Sequence, residues 1–388
     1  MQAKPYRVTS IDILRGLVMI IMALDHTRDF FHKDAMIHDP MDLATTTAPI
    51  FFTRWITHFC APTFVFLSGV SAYLSSQKKN KAEASLFMIK RGLWLLVIEV
   101  VVITFGLSFN PFYSMIFLQV IWAIGCSMIL MGILSRISYS AVLVVGAILF
   151  FGHNLIDIIP HGNSPIWNFI LTSPNFIPFA GNHVLGVLYS VLPWTGIMLM
   201  GYCMGRLYRQ DFAPAKRKQI LIISGSALIV IFLILRWFNM YGNPQPWAPQ
   251  QDFAHSLFSF LNTSKYPPSL HYAGMTLGPA ILMLAFTENI KNWFSDILSV
   301  YGKVPFFYYV LHFYVLHTVL VIAFFAAGYS TDAIQSKNMP FFFRPTEFGY
   351  SLAGTYLVWL AAVALLYKPC VWFGKYKATH KQWWLSYL

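Results

Sequence analysis

Charge is scarce in this chain. Only 11% of its 388 residues are Asp, Glu, Lys or Arg, against 57% that are hydrophobic. Ordinary soluble domains carry about 25% charged residues, so a water-soluble globule is excluded. The mean hydropathy of +0.58 points to an all-α polytopic membrane protein. Cysteine is limited to Cys60, Cys126, Cys203 and Cys370. They are scattered, with no CxxC pair and no ligand spacing, and read as small core residues rather than a disulfide framework or a zinc site. Absent too are HExxH, GxSxG, a P-loop and a GxGxxG between strand and helix. No carboxylate-plus-histidine ligand set occurs, so no metal is expected. No internal repeat is visible, which counts against a transporter built from inverted halves.

What the chain has instead is apolar length. Windows of about 20 residues predict about ten transmembrane helices, near 9–31, 50–76, 84–106, 112–134, 138–158, 186–208, 218–238, 270–288, 297–327 and 347–371. Most of the 27 basic residues then fall on one side, including Lys4, Arg7, Lys78, Lys79, Lys81 and Lys216–Lys218. That bias places both termini in the cytoplasm and the protein in the inner membrane as a multi-pass chain. The net charge of +12 is thereby a topological address, and no nucleic-acid partner is expected. Asp12 and Arg15 interrupt the apolar run that a cleavable signal peptide needs. Residues 1–388 read as a single domain in which outer segments near 159–185 and 239–269 act as capping loops.

The first span departs from this pattern, because Asp12, Arg15, Asp25, His26, Arg28 and Asp29 all lie in it. An ionisable group at the membrane centre costs about 2.5–3.5 kcal/mol on insertion scales, so several in one span mark a functional wall. At about 100° per residue, Arg15 and His26 differ by only about 20° in direction, and Asp12 and Asp29 fall within about 60° of that line. The stripe reads as the wall of a reaction chamber or a permeation path. His26 stands about 25 Å along the helix from Thr9 at 1.5 Å per residue. A neutral imidazole there can take a proton from an incoming hydroxyl or amine, with Asp25 or Asp29 orienting it. The bland alternative is a satisfied charge cluster at a helix end.

Other candidates lie on later spans. Arg54 and His58 share a helix face and could meet His26, where either could stabilise an oxyanion. Equally, His58 could fill a kink before Pro62. Ser68-Gly69 and Ser71-Ala72 form a small-residue face suited to tight helix packing. Lys90 and Arg91 open a helix on the cytoplasmic side and are candidates to hold phosphates. His312 and His317 are five apart on span nine, about 140° around the helix, which excludes a shared metal. His312 remains a candidate for substrate contact, whereas His317 reads as polar glue between helices. Trp167, Asn168, Trp247 and Gln251 have the aromatic-plus-amide character of sugar sites.

Together these residues resemble a known family. Arg15-Gly16 with His26, Phe64-Val-Phe-Leu-Ser-Gly69, Lys90-Arg91 and Tyr-Tyr-Val-Leu-His312 are similar to the core of integral-membrane acyltransferases. More specifically, Ser10-Ile-Asp-Ile-Leu-Arg-Gly16, Leu24-Asp-His-Thr-Arg-Asp-Phe-Phe31, Thr57-His-Phe-Cys-Ala-Pro62, Pro193-Trp-Thr-Gly-Ile-Met-Leu-Met-Gly-Tyr202 and Tyr266-Pro-Pro-Ser-Leu270 resemble the bacterial family named for the catalytic domain of heparan-α-glucosaminide N-acetyltransferase. The resemblance implies a transmembrane acetyltransferase, with cytoplasmic acetyl-CoA as donor and a small amino-sugar or glycan amine or hydroxyl as acceptor at the outer face. It implies His26, Asp25, Asp29 and His58 as catalytic candidates, Arg15, Lys90 and Arg91 for acetyl-CoA, and Arg28, Arg54 and His312 for substrate. A homodimer is compatible with it. One departure stands out. Lysosomal members resemble this chain except for asparagine at the first-helix position and a histidine in the stretch that follows. Here His26 holds the helix position, with His32 and His38 beyond it, so N- versus O-transfer stays open. The competing class is a proton-coupled transporter or flippase using the same Asp/His/Arg stripe.

Overall fold

The computed structural model describes residues 8–159, 164–336 and 339–387, without the side chains of residues 165, 166 and 168. Lys4 and Arg7 lie outside the described residues. The chain is mostly helical. Helix α1 (Thr9–Phe31) is the hub. Around it pack α2 (Ala48–Thr57), α3 (Cys60–Ser76), and, later in the chain, four more helices. Helix α4 (Lys81–Ile98) starts on an Asn80 capping box and continues through a π turn (Glu99–Ile103) into α5 (Thr104–Ser108). Helices α6 (Val120–Ile137), α7 (Tyr139–Gly152), the short α8 (Pro165–Ile170), α9 (Val191–Met204) and α10 (Pro214–Trp237) form the next layer. Helices α11 (Phe253–Leu261), α12 (Leu270–Phe286), α13 (Trp293–Lys303), α14 (Pro305–Ala326) and α15 (Leu352–Thr379) complete the chain. Of these, α12 to α15 close around α1.

One small sheet caps an end of the bundle. Strand β1 (Met115–Leu118) pairs in parallel with β3 (His183–Val187), whose other edge pairs antiparallel with β2 (Asn175–Phe179), in the register Met115↔Val184 and Asn175↔Val187. The β2–β3 turn runs through Gly181 at φ +76°, a left-handed conformation that glycine adopts without steric cost.

This arrangement corrects several expected span boundaries. The fourth span begins at Val120 rather than 112, and the sixth at Val191 rather than 186, because the residues before them are spent on β1 and β3. The ninth is two helices, broken at Val304 because Pro305 lacks the N–H and the freedom to continue α13. The second is broken at His58-Phe59. Among the described residues, six helical segments are long and apolar enough to cross a membrane, at 48–76, 120–137, 139–157, 214–237, 305–326 and 352–379. Of the remainder, α1 is too charged and α9 and α12, at 14 and 17 residues, are short. In the apolar windows of α7, α10 and α15 only 22% of residues are buried, against 67% in the α2–α3 segment. The first three are therefore the rim and the last is core.

The hub is made by close backbone approach. A Cβ placed on Gly16 would stand 1.8 Å from the Leu298 carbonyl oxygen, and one on Gly302 would stand 1.9 Å from that of Asp12. Only glycines on both sides let α1 and α13 cross so tightly. The small-residue face of α3 serves in the same way, with Gly69 against the backbone of α9 at Met198. Helix α15 runs antiparallel to α1. Its Trp359 donates to the Ile20 carbonyl at 2.8 Å, and Tyr387 beyond its end packs on Phe87 of α4. Two buried arginines tie the connecting segments at the sheet end. Arg236 donates to the carbonyls of Gln245, Ser259, Phe260 and Asn262, and Arg344 to those of His32, Pro345 and Phe348. We expect Gly302→Val to cost at least about 1–3 kcal/mol by overpacking, read as a lower thermal midpoint in detergent. Gly152→Ala, where nothing lies within 4 Å, should stay within about 0.5 kcal/mol of wild type.

Candidate functional site

The last two turns of α1 bring their charges to one place. Asp25 accepts from the guanidinium of Arg54 on α2 and lies 3.2 Å from Arg28, one turn along its own helix. Arg28 also donates to Asp29 at 2.7 Å. Two carboxylates and two guanidinium groups thus form one chain of ion pairs between α1 and α2. Asp25 and Arg28 are buried, at 9% and 7% exposed, where each charge is tolerable only because an opposite one adjoins it.

His26 stands beside this chain without joining it. Among the described residues its ring makes no hydrogen bond; it is partly exposed and packs on Phe313 and His312 of α14 with centroid separations of 4.5 and 5.3 Å. Neither Asp25 nor Asp29 hydrogen-bonds the imidazole, and both are paired with the arginines instead. The ring is positioned by packing alone, and both nitrogens remain available to a ligand.

A cavity of about 700 Å³ opens in front of it. Asp25, His26, Arg28, Asp29 and Arg54 line its polar side, and Val18, Met19, Met22, Cys60 and Phe64 its floor. Its upper wall comes from β1, β3, and residues 335, 336 and 339–342 at the sheet end. Lys265 and Tyr266, from the segment between α11 and α12, complete the wall. The Lys265 ammonium lies 5.1 Å from the centre of the Tyr266 ring. Burial by itself pushes the Tyr266 phenol up, but Lys265 and Arg54 more than offset this and hold it below its ordinary value. The chamber is therefore cationic on balance, with Arg28, Arg54 and Lys265 facing Asp25 and Asp29.

Residues 7–236, which supply α1, α2, α3 and most of this wall, match the family described as heparan-alpha-glucosaminide N-acetyltransferase, catalytic. The chain belongs to that family. No curated protein matches it. The activity of the heparan-alpha-glucosaminide N-acetyltransferase family is acetyl transfer, and its six long apolar helices make this member a membrane protein. The matched residues end before Lys265, Tyr266 and His312, so these come to the site from outside the match.

The remaining candidates of this family member separate into groups. His58 is buried and does not line the cavity. It sits in the break between α2 and α3 because Pro62 cannot donate to its carbonyl. The Tyr272 hydroxyl donates to that carbonyl instead, at 2.8 Å. His58 thus stands at the kink, off the cavity lining. His312 is fully buried, donates from Nδ1 to the Tyr309 carbonyl, and lies behind His26 rather than on the cavity wall. It packs against the His26 ring from behind. His317 bridges the carbonyls of Leu107 and Phe342 at 3.0 Å each, as polar glue. Trp247 packs on Trp237 and Phe260, and neither it, Trp167 nor Gln251 lines the cavity; the side chain of Asn168 lies outside what is described.

Arg15, Lys90 and Arg91 do not reach this cavity, whose lining on α1 ends at Val18. Arg15 donates to Ser71 at 2.6 Å and to the Gly302 carbonyl at 3.3 Å. Arg91 turns inward, within electrostatic reach of Arg15 and with its Nε unpartnered, while Lys90 is exposed. Adjacent on one helix, the two diverge instead of forming a single clamp.

Two residues escaped the sequence reading. Lys265 was visible as a basic residue directly before the Tyr-Pro-Pro-Ser-Leu270 motif. Glu99, the acid inside the third apolar run, is fully buried on the π turn and accepts the Gln119 backbone N–H at 2.5 Å, at the start of α6. Asp25→Asn should cost about 3 kcal/mol or more, because it leaves Arg28 and Arg54 without their shared carboxylate. Thermal unfolding of Asp25→Asn, Arg54→Met and the double variant checks this, and the double should lose less than the sum of the singles.

Proposed function

We propose that this chain is a transmembrane acetyltransferase that moves an acetyl group from cytoplasmic acetyl-CoA to an amine or hydroxyl on a sugar acceptor at the outer face. The observation that carries the reading is His26, a partly exposed imidazole without a hydrogen bond among the described residues, set in a chamber of about 700 Å³ beside a neutralised charge chain. In this reading α1, α4–α5, α9 and α12 join the six long helices to give ten crossings. Both termini lie in the cytoplasm, the membrane is the inner one, and the sheet end faces outward. His26 takes the proton from the acceptor as it attacks the thioester carbonyl. Asp25, Arg28, Asp29 and Arg54 shape the acceptor side of the chamber. Arg15, Lys90 and Arg91, at the opposite end, take the CoA phosphates. An acetyl-histidine intermediate on His26 is the rival route within the same reading.

A second reading has one observation in its favour. The cavity stops at Val18, and below it α1 is tied to α3 and α13 through Arg15, Ser71 and Gly302. A chamber open at one end is also what a proton-coupled carrier or flippase presents.

Binding and slow hydrolysis of acetyl-CoA by purified protein separate the two. The enzyme reading expects wild type to bind and His26→Ala to bind with turnover lower by about 10²–10⁴. Lys90→Ala and Arg91→Ala should each lose affinity. Wild type that ignores acetyl-CoA and other acyl-CoAs sinks this reading and leaves substrate movement as the activity to measure.

A further inference from the structure

The chamber holds one charge too many. Asp25 is shared by Arg54 and Arg28, and Asp29 is taken by Arg28. Both carboxylates that face the cavity are thereby engaged. Lys265 enters the same cavity only 9% exposed, and among the described residues no carboxylate lies within ion-pair distance of its ammonium. A buried cation without a counter-ion is costly, and it persists only where the surrounding structure holds it in place.

The surroundings do hold it. Arg236 anchors the carbonyls of Ser259, Phe260 and Asn262 just before Lys265. The Asn243 side chain then accepts from the Ser264 backbone and the Ser269 hydroxyl, both at 2.9 Å, so the segment is pinned on either side of the lysine. Lys265 also bridges to Pro268 through the backbone. The ammonium is thus presented by a rigid loop over the Tyr266 ring, on the wall that also carries His26. A preorganised positive charge serves best where negative charge develops during reaction.

We infer that Lys265 is a catalytic residue, whose ammonium stabilises the oxyanion formed when the acceptor attacks the thioester beside His26. This rests on the acetyltransferase reading above. Arg54 and Arg28 are paired with carboxylates and His58 lies off the cavity, so among the described residues Lys265 is the cavity cation without an ion pair. The electrons balance without a further reactant. The acceptor nitrogen or oxygen passes a proton to His26 while its lone pair forms the bond to the carbonyl carbon. The C=O π pair moves onto oxygen, where Lys265 donates a hydrogen bond to it. That pair then returns to re-form C=O, the C–S bond breaks, and CoA leaves as a thiolate that takes the proton back from the His26 imidazolium.

The test uses the full chain and acetyl-CoA, with water as acceptor. Lys265→Met should bind acetyl-CoA within about 3-fold of wild type while its hydrolysis rate falls by about 10²–10³, the range for loss of one oxyanion donor. Lys265→Arg keeps the charge and should recover a measurable part of that rate, which a purely structural role does not predict. Lys265→Gln replaces the Met variant if the latter fails to fold. Wild-type hydrolysis by Lys265→Met, or a weaker affinity at unchanged rate, overturns the proposal while the acetyltransferase reading stands. Wild type with no acyl-CoA binding or hydrolysis removes both.

Discussion

Everything in this structure answers to the charges of α1. Five charged side chains and His26 are carried into a bundle whose other helices are overwhelmingly apolar, where an unpaired ion is costly. The helix therefore sits at the centre, ringed by α2, α3 and α12–α15, with its ions answered from its neighbours. Arg54 reaches Asp25 from α2, and Ser71 and Gly302 receive Arg15 from α3 and α13. The glycine crossing of α1 and α13 belongs to the same requirement, because only a close approach brings the Gly302 carbonyl within reach of Arg15.

Pairing at the two ends of α1 has opposite results. Near its start, Arg15 is bound into the packing and the helix is sealed against α13. Near its end, Asp25, Arg28, Asp29 and Arg54 satisfy one another and leave His26 bare at the edge of a chamber. That division leaves one end of the helical stripe packed and the other open to a cavity. The sheet and the two arginine-pinned segments then roof the chamber, and one of them delivers Lys265.

Much of this was legible in the chain. The stripe on α1, the predominance of helix, the packing faces of small residues and the gluing role of His317 all follow from local spacing and composition. The family was legible as well, through motifs spread along residues 7–236. Less legible were the strands at 115–118 and 183–187, which carry the same apolar residues as the spans they precede. A hydropathy window cannot tell a strand from the first turns of a helix when both are apolar. The break before Pro305 was visible as a proline, yet the apolar run on either side read as continuous.

Local sequence determined which residues could ionise, on which face of α1 they stand, and where prolines deprive a carbonyl of its partner. Tertiary structure alone decided how those groups pair. Asp25 had a histidine next to it and arginines one turn along and on another helix, and only packing assigned it to the arginines. His58 and His312 read as further candidates beside His26, and only the packing set them off the cavity wall. Lys265 lies more than two hundred residues from His26 in sequence, and no local pattern relates the two. The reason is physical: pairing of charges depends on distance in space and on exclusion of water, and neither is fixed until the helices close around α1.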